Sequence, residues 1–108
     1  MKIGLEVHVQ LPTRSKMFCS CPTEGDAEPN TRICPICMGF PGSKPSLNGE
    51  ALRLGLKLAK MLGCSIPDTT WFSRKIYFYP DLAKNFQVTQ QETPVGLGGV
   101  YMLGDKPI

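Results

Sequence analysis

The sequence has no long apolar stretch. No uninterrupted apolar run approaches the roughly 18 residues of a membrane span, and no secretory h-region follows the start MKIGLEV. We therefore expect a cytoplasmic protein with no membrane partner. Runs of like charge are also absent, and the formal net charge of the 108 residues is only +3. The absence of such runs excludes a basic tail. The small positive net charge permits an anionic partner without requiring one.

Proline, glycine and cysteine are well represented. The chain has ten prolines, eleven glycines and five cysteines, with 42% hydrophobic residues. A hydrophobic fraction of this size suits one modest core, and the prolines and glycines indicate many turns. Residues 12–47 are predicted to be an irregular loop region, because they hold six of the prolines and four of the cysteines. We expect a single domain over residues 1–108.

Residues 3–11 alternate apolar and polar side chains, which is the period of a half-buried β-strand. The polar side of this predicted strand carries Glu6 and His8, whose Cβ atoms would lie roughly 7 Å apart on one face. Both side chains could reach one Mg²⁺ ion, although His is an unusual ligand for that metal. The alternative is an ordinary solvent-facing strand edge, and the pattern alone does not decide between them.

One helix is predicted within Pro45–Gly63. Asn48 suits the N-cap position, because its side-chain oxygen can accept from an amide of the first turn. Gly63 suits the C′ position, where a left-handed backbone conformation ends many helices. Most of the remaining side chains are Leu, Ala or Met, so we expect the helix to be mostly buried.

Strands are predicted after the helix. The aromatic-rich segment 71–79, the segment 86–91 and the short segment 100–103 all have β-type composition, with turns at 80–85 and 93–99. The order is therefore β, cysteine-rich loop, α, β, β, β. This order predicts an α+β fold with a mainly antiparallel sheet.

Four cysteines form the strongest local signal. Cys19 and Cys21 are separated by one residue, and Cys34 and Cys37 by two. Four thiolates can surround Zn²⁺ tetrahedrally, which predicts a zinc-binding loop at about residues 18–40. Such a closed site has no open coordination position, so its role would be structural. The alternatives are disulfides, which a cytoplasmic chain disfavours, and four buried thiols without metal.

The segment SRKIYFYPDLAKNFQ combines cations with aromatic rings. Arg74, Lys75 and Lys84 stand among several aromatic residues, including Tyr79. Cations attract phosphates and rings stack on bases, so this hairpin could contact a nucleotide or an RNA end. The alternative is an ordinary hairpin with an aromatic core and surface charges.

Three stretches taken together resemble a known family: GLEVHVQL, CPICMGFPGSKPSLN and FSRKIYFYPDLAKNFQVTQ. They are similar to the start of the B subunit of the glutamyl-tRNA(Gln)/aspartyl-tRNA(Asn) amidotransferases. The resemblance runs from Ile3 to about Gln90. The related archaeal E subunit shares much of this pattern, but typically has a second Gln where this chain reads His8-Val9-Gln10. The B-type subunit is therefore the favoured member.

The resemblance implies a two-step ligase reaction. ATP phosphorylates the side-chain carboxylate of Glu or Asp wrongly esterified to tRNA, with Mg²⁺ neutralising charge on the transferred group. Ammonia released by the amidase A subunit then displaces phosphate to form the amide. The implied fold is a glutamine-synthetase-like cradle, and the implied partners are the A subunit, the small C subunit and misacylated tRNA.

The resemblance also implies roles for particular residues. Glu6 would be a Mg²⁺ ligand, and His8 a ligand or an orienting group. The four cysteines match the zinc-bearing versions of the family. Contacts to ATP or the aminoacyl end are implied for four residues: Arg74, Lys75, Tyr79 and Lys84.

This chain departs from the family in length. Family members are several times longer, with further acidic site residues and tRNA-binding domains downstream. We therefore expect residues 1–108 to be the amino-terminal part of the cradle, inactive when isolated. Two alternatives stay open: an archaeal E-type subunit with near-identical chemistry, and a non-catalytic zinc-ribbon-like module that binds RNA or a protein.

Overall fold

The structure is a computed structural model that describes residues 3–108. Within this range it contains one helix and two separate two-stranded antiparallel sheets. The α+β class and the antiparallel pairing are thus as predicted, although the strands do not form one sheet. The elements are α1 (Gly49–Met61), β1 (Ser73–Ile76), β2 (Phe86–Thr89), β3 (Met102–Leu103) and β4 (Lys106–Pro107).

The ends of α1 are those that the sequence predicts. The side-chain oxygen of Asn48 accepts from the backbone N–H groups of Glu50 (3.0 Å) and Ala51 (3.3 Å). This contact satisfies two amides that have no partner within the helix. Gly63 follows the helix with φ of +69°, a conformation that favours glycine. The predicted cap and termination are therefore confirmed.

The predicted burial of α1 is wrong for most of its length. Only Ala51 and Ala59 are buried, whereas Leu58 is 50% exposed and Met61 is 75% exposed. The reason is the kind of element that packs on the helix. The loop at Gly96 approaches so closely that a Cβ atom there would lie 2.9 Å from the Ala59 Cβ. A loop held against small residues covers only a narrow stripe of a helix.

The strands β1 and β2 form the predicted hairpin. Ser73 pairs with Thr89 and Ile76 with Phe86 in antiparallel register. Backbone hydrogen bonds close the connecting turn, and Asn85 adopts a φ of +54° there. The hairpin strands are shorter than the predicted segments. The last predicted strand shrinks to β3, which pairs with β4, a strand that the sequence pattern does not predict.

The predicted first strand is absent: residues 3–11 have no regular secondary structure. Leu5, Val7 and Val9, the apolar side of the predicted strand, are between 65% and 80% exposed. A strand exists only when a neighbouring strand accepts and donates its backbone hydrogen bonds. Among residues 3–108 no such neighbour lies beside this segment, so the alternation of residue types has no sheet to form.

The chain exposes much more surface than a folded monomer of its mass. Its accessible area is 9051 Å², whereas about 6000 Å² is typical for a protein of this size. Its radius of gyration is 16.2 Å, against roughly 13 Å for a compact domain of this length. Much apolar surface is therefore uncovered. In the described part of the chain, no helix has the length and apolarity needed to cross a membrane.

Candidate metal centre

The sulfur atoms of four cysteines converge in the loop before α1. These atoms all lie within 4.8 Å of one another, and all five cysteines of the chain are free thiols. Two of the converging residues are buried and two are half-buried. The four are Cys19, Cys21, Cys34 and Cys37, the set that the sequence predicts.

The first arm of the site holds the Cys-x-Cys pair. An isolated antiparallel bridge joins Ser15 to Pro22 at the base of this arm. Within it the backbone N–H of Lys16 donates to the carbonyl of Cys21 at 2.9 Å. Closing the arm in this way brings Cys19 and Cys21 to the same side of the turn, where both are buried.

The second arm is a Cys-x-x-Cys turn. The N–H of Met38 donates to the carbonyl of Cys34 at 3.0 Å, which closes one turn of backbone around the pair. The N–H of Cys34 also donates to the Cys37 sulfur at 3.1 Å. Gly39 ends the turn with φ of +70°. Backbone N–H groups that point at sulfur stabilise a thiolate, and thiolates are the form that binds metal.

The thiols differ in acidity. A hydrogen bond from the Cys37 backbone is the main cause that lowers the pKa of Cys34 to about 7. Burial raises the pKa of Cys21 to about 12, and burial also raises the pKa of Cys19. Without a cation, the buried pair therefore stays protonated at neutral pH, and Cys34 is the thiol that ionises readily.

The four sulfurs fit a zinc ion by donor type and by spacing. A tetrahedral zinc with bonds of about 2.3 Å places its sulfur ligands roughly 3.8 Å apart. The observed limit of 4.8 Å needs only a small contraction to reach that spacing. Four thiolates fill the coordination shell, so a bound zinc would order the loop and provide no open position for a substrate.

Two contacts fix the loop to the remaining elements. The Asn48 side-chain amide donates to the carbonyl of Ser15 (3.1 Å) and to its hydroxyl (2.9 Å). The rings of Phe18 and Phe72 pack edge to face with centroids 5.3 Å apart. The first contact joins the loop to the start of α1, and the second joins it to the residue before β1.

Glu6 and His8 lie in the irregular segment before the loop, and both are exposed. Within residues 3–108 the cluster of potential metal ligands comprises the four cysteines and includes neither of these side chains. Magnesium usually binds six oxygen ligands in a near-octahedral arrangement. The two groups would therefore need ligands from elsewhere, and their predicted role stays a prediction.

The cationic residues of the hairpin are divided between its two faces. The Arg74 guanidinium carbon lies 4.7 Å from the Phe86 ring centroid, and the Lys84 ammonium lies 5.3 Å from the same centroid. Lys75 follows Arg74 directly in β1, so its side chain points to the opposite face. Tyr79 stacks on Tyr77, with centroids 6.1 Å apart and planes inclined by 9°. The structure thus brings together two of the four predicted contact residues.

Sequence reasoning missed Lys16. Its ammonium group donates to the carbonyl of Arg32 at 2.7 Å and lies 3.9 Å from the Cys37 sulfur. The contact spans 21 positions in sequence, and a lysine three residues before Cys19 has no special spacing. No signal in the sequence alone distinguishes it from the other lysines.

One family profile covers nearly the whole chain. The profile of the family described as the GatB/GatE catalytic domain matches residues 1–106. The chain belongs to this family. The match includes the cysteine loop, α1 and the β1–β2 hairpin, so the candidate metal centre lies within the family domain.

Several curated relatives of this GatB/GatE chain are named as the B subunit of an aspartyl/glutamyl-tRNA(Asn/Gln) amidotransferase. The protein of Methanospirillum hungatei is 53% identical over 102 residues, which cover 94% of this chain and 22% of the relative. The protein of Thermus thermophilus is 50% identical over 107 residues, covering 98% of this chain and 23% of the relative. A relative from Nocardioides is 52% identical over 100 residues, covering 93% of this chain and 20% of the relative. The chain thus spans about a fifth of their length.

Proposed function

We propose that residues 1–108 are the amino-terminal part of the cradle-shaped kinase domain of a B-type aminoacyl-tRNA amidotransferase subunit. The match of the GatB/GatE catalytic domain to residues 1–106 carries this proposal. The large exposed apolar surface supports it, because the remainder of a longer domain would cover that surface. The archaeal E-type subunit is the alternative within the same family.

The proposed reaction activates a carboxylate and then replaces it by an amide. The complete subunit transfers the γ-phosphoryl group of ATP to the side-chain carboxylate of Glu or Asp on misacylated tRNA. Ammonia then attacks the acyl phosphate, a carbon–nitrogen bond forms and inorganic phosphate leaves. Phosphate is a far better leaving group than the oxide of a carboxylate, so the second step needs the first.

Within this proposal, the chain supplies three groups of residues: magnesium ligands, contacts to ATP or the aminoacyl end, and zinc ligands. Glu6 and His8 bind Mg²⁺ together with acidic ligands from the remainder of the subunit. The hairpin face that carries Arg74 and Lys84 contacts the triphosphate or the aminoacyl end. Lys75, on the opposite hairpin face, and Tyr79 supply further contacts to the same ligands. The A and C subunits and misacylated tRNA are the proposed partners, and the cytoplasm the proposed location. The sulfur cluster holds structural zinc, with no part in phosphoryl transfer.

The catalytic part is tested in the complete subunit assembled with its A and C partners. Glu6→Gln and His8→Ala should each abolish ATP-dependent amide formation on Glu-tRNA(Gln) while leaving the far-UV circular dichroism unchanged. Glu24→Gln is the matched control, because it removes another exposed carboxylate whose partner is Arg14, 3.4 Å away. Full activity in both Glu6→Gln and His8→Ala would contradict the assignment of these two residues to the catalytic site.

The metal part is tested separately on the chain itself. Elemental analysis should give one zinc per chain, and Cys34→Ser should lower that content. A chain that is fully ordered with no metal would contradict the proposal. Loss of RNA or protein binding on changing a cysteine, with amidation intact in Glu6 and His8 variants, would instead favour the non-catalytic zinc-ribbon-like module.

A further inference from the structure

Lys16 lies between the two arms of the cysteine site. Its backbone N–H donates to Cys21 in the first arm, at 2.9 Å. Its ammonium group donates to the carbonyl of Arg32, two residues before the second arm, at 2.7 Å. The same ammonium lies 3.9 Å from the Cys37 sulfur, within reach of a long hydrogen bond to sulfur. One residue therefore contacts both halves of the site.

The position of the Lys16 ammonium matters because a zinc-filled site is negatively charged. A zinc ion with four thiolate ligands carries a net charge of about −2, and half-buried surroundings make that charge costly. A nearby ammonium offsets part of this charge. The Lys16 side chain is itself only half-exposed, so water screens the attraction incompletely.

We propose that Lys16 is a positioning residue of the metal centre. Its ammonium offsets the charge of the metal–thiolate group, and its bond to Arg32 holds the Cys-x-x-Cys arm against the Cys-x-Cys arm. This inference rests on the metal part of the proposed function. It extends that part from the four sulfur ligands to a residue that contacts one of them. Mutating such partners of metal ligands commonly lowers metal affinity by roughly 10- to 100-fold.

The experiment compares three variants of the 108-residue chain: Lys16→Met, Lys16→Arg and Lys57→Met. Lys57 is an exposed lysine of α1 and serves as the matched control for loss of one positive charge. Zinc affinity is measured by competition with a chromophoric chelator at neutral pH, in low and in high salt. Circular dichroism of each metal-free variant reports whether the substitution changes the fold without zinc.

We expect Lys16→Met to weaken zinc binding about tenfold, the lower end of the range for such partners, because the ammonium is partly solvated. Lys16→Arg keeps the charge and should stay within about threefold of the unmodified chain. Lys57→Met should bind zinc unchanged. The penalty of Lys16→Met should shrink in high salt, since mobile ions screen a charge effect and leave a packing effect unaltered.

Three results would overturn the role of Lys16 while leaving the zinc site intact. They are unchanged affinity in Lys16→Met, equal weakening in Lys57→Met, and a penalty that is independent of salt and not restored by Lys16→Arg. Failure of the unmodified chain to bind zinc at all is a different result. It would overturn the metal centre, and the inference about Lys16 with it.

Discussion

Gly39 lies where the cysteine loop touches the β1–β2 hairpin, and replacing it with Ala tests that contact. A Cβ atom at Gly39 would lie 2.5 Å from the Lys84 Cβ and 2.7 Å from the Lys84 Cα. The backbone at Gly39 also has φ of +70°. Gly42, three residues later, has φ of +77° and nothing within 4 Å of the corresponding position. The two glycines therefore share a conformation but differ in their surroundings.

The two substitutions should differ in cost for this reason. Forcing Ala into the left-handed region costs about 1–2 kcal/mol, and this applies to both Gly39→Ala and Gly42→Ala. Overpacking adds about 1–3 kcal/mol at Gly39 alone, because the Lys84 backbone cannot move away as a flexible side chain would. We expect the free energy of unfolding to fall by roughly 2–5 kcal/mol in Gly39→Ala and by about 1–2 kcal/mol in Gly42→Ala.

Urea unfolding of the zinc-loaded chain measures this difference. Trp71 is the single tryptophan and precedes β1 by two residues, so its fluorescence reports on the hairpin. Zinc content is measured in parallel, because a displaced turn that still carries Cys34 and Cys37 should also bind metal less tightly. Equal destabilisation of the two variants would show that the loop does not rest on the hairpin at Gly39.

Two further predictions concern the loop. Asn48→Ala should lower the free energy of unfolding by about 2 kcal/mol, roughly one for the lost helix cap and one for the lost bonds to Ser15. Asn48→Asp keeps only the cap, so thermal or urea unfolding should place its stability between those of Asn48→Ala and the unmodified chain. Equal stability of Asn48→Asp and Asn48→Ala would contradict this. Zinc affinity should rise by at least about 100-fold per pH unit near neutrality, because binding must remove protons at least from Cys19 and Cys21, whose pKa values burial raises. Chelator competition between about pH 6.5 and 8 measures the slope, and a pH-independent affinity would exclude coordination by these thiols.

The burial of side chains could not be predicted from composition. The pattern of α1 suggests a buried helix, yet Leu58 and Met61 are largely exposed. Residues 3–11 also differ from their pattern. They alternate apolar and polar residues as a half-buried strand does, but no strand lies beside them among the described residues. Alternation specifies which side chains would share a face, but only a partner strand makes a sheet.

The metal centre was predictable in one respect and not in another. The spacing of the four cysteines is a local property, so the sequence identifies all of them as one group. The lysine that joins the two arms and the asparagine that ties the loop to α1 act over 16 and 33 positions. Contacts of that range depend on how the loop folds back, and residue type gives no indication of them.

The sequence by itself determined the features that arise within a few residues. These are the capped start of α1, its glycine end, the cysteine pairs and the two strands of the hairpin; each follows from backbone geometry and hydrogen bonds between near neighbours. Only the tertiary structure decided that the four sulfurs meet, that Lys16 lies beside them and that residues 3–11 pair with no strand of the described chain. Those outcomes depend on which distant segments approach each other, and that approach is set by packing across the whole chain.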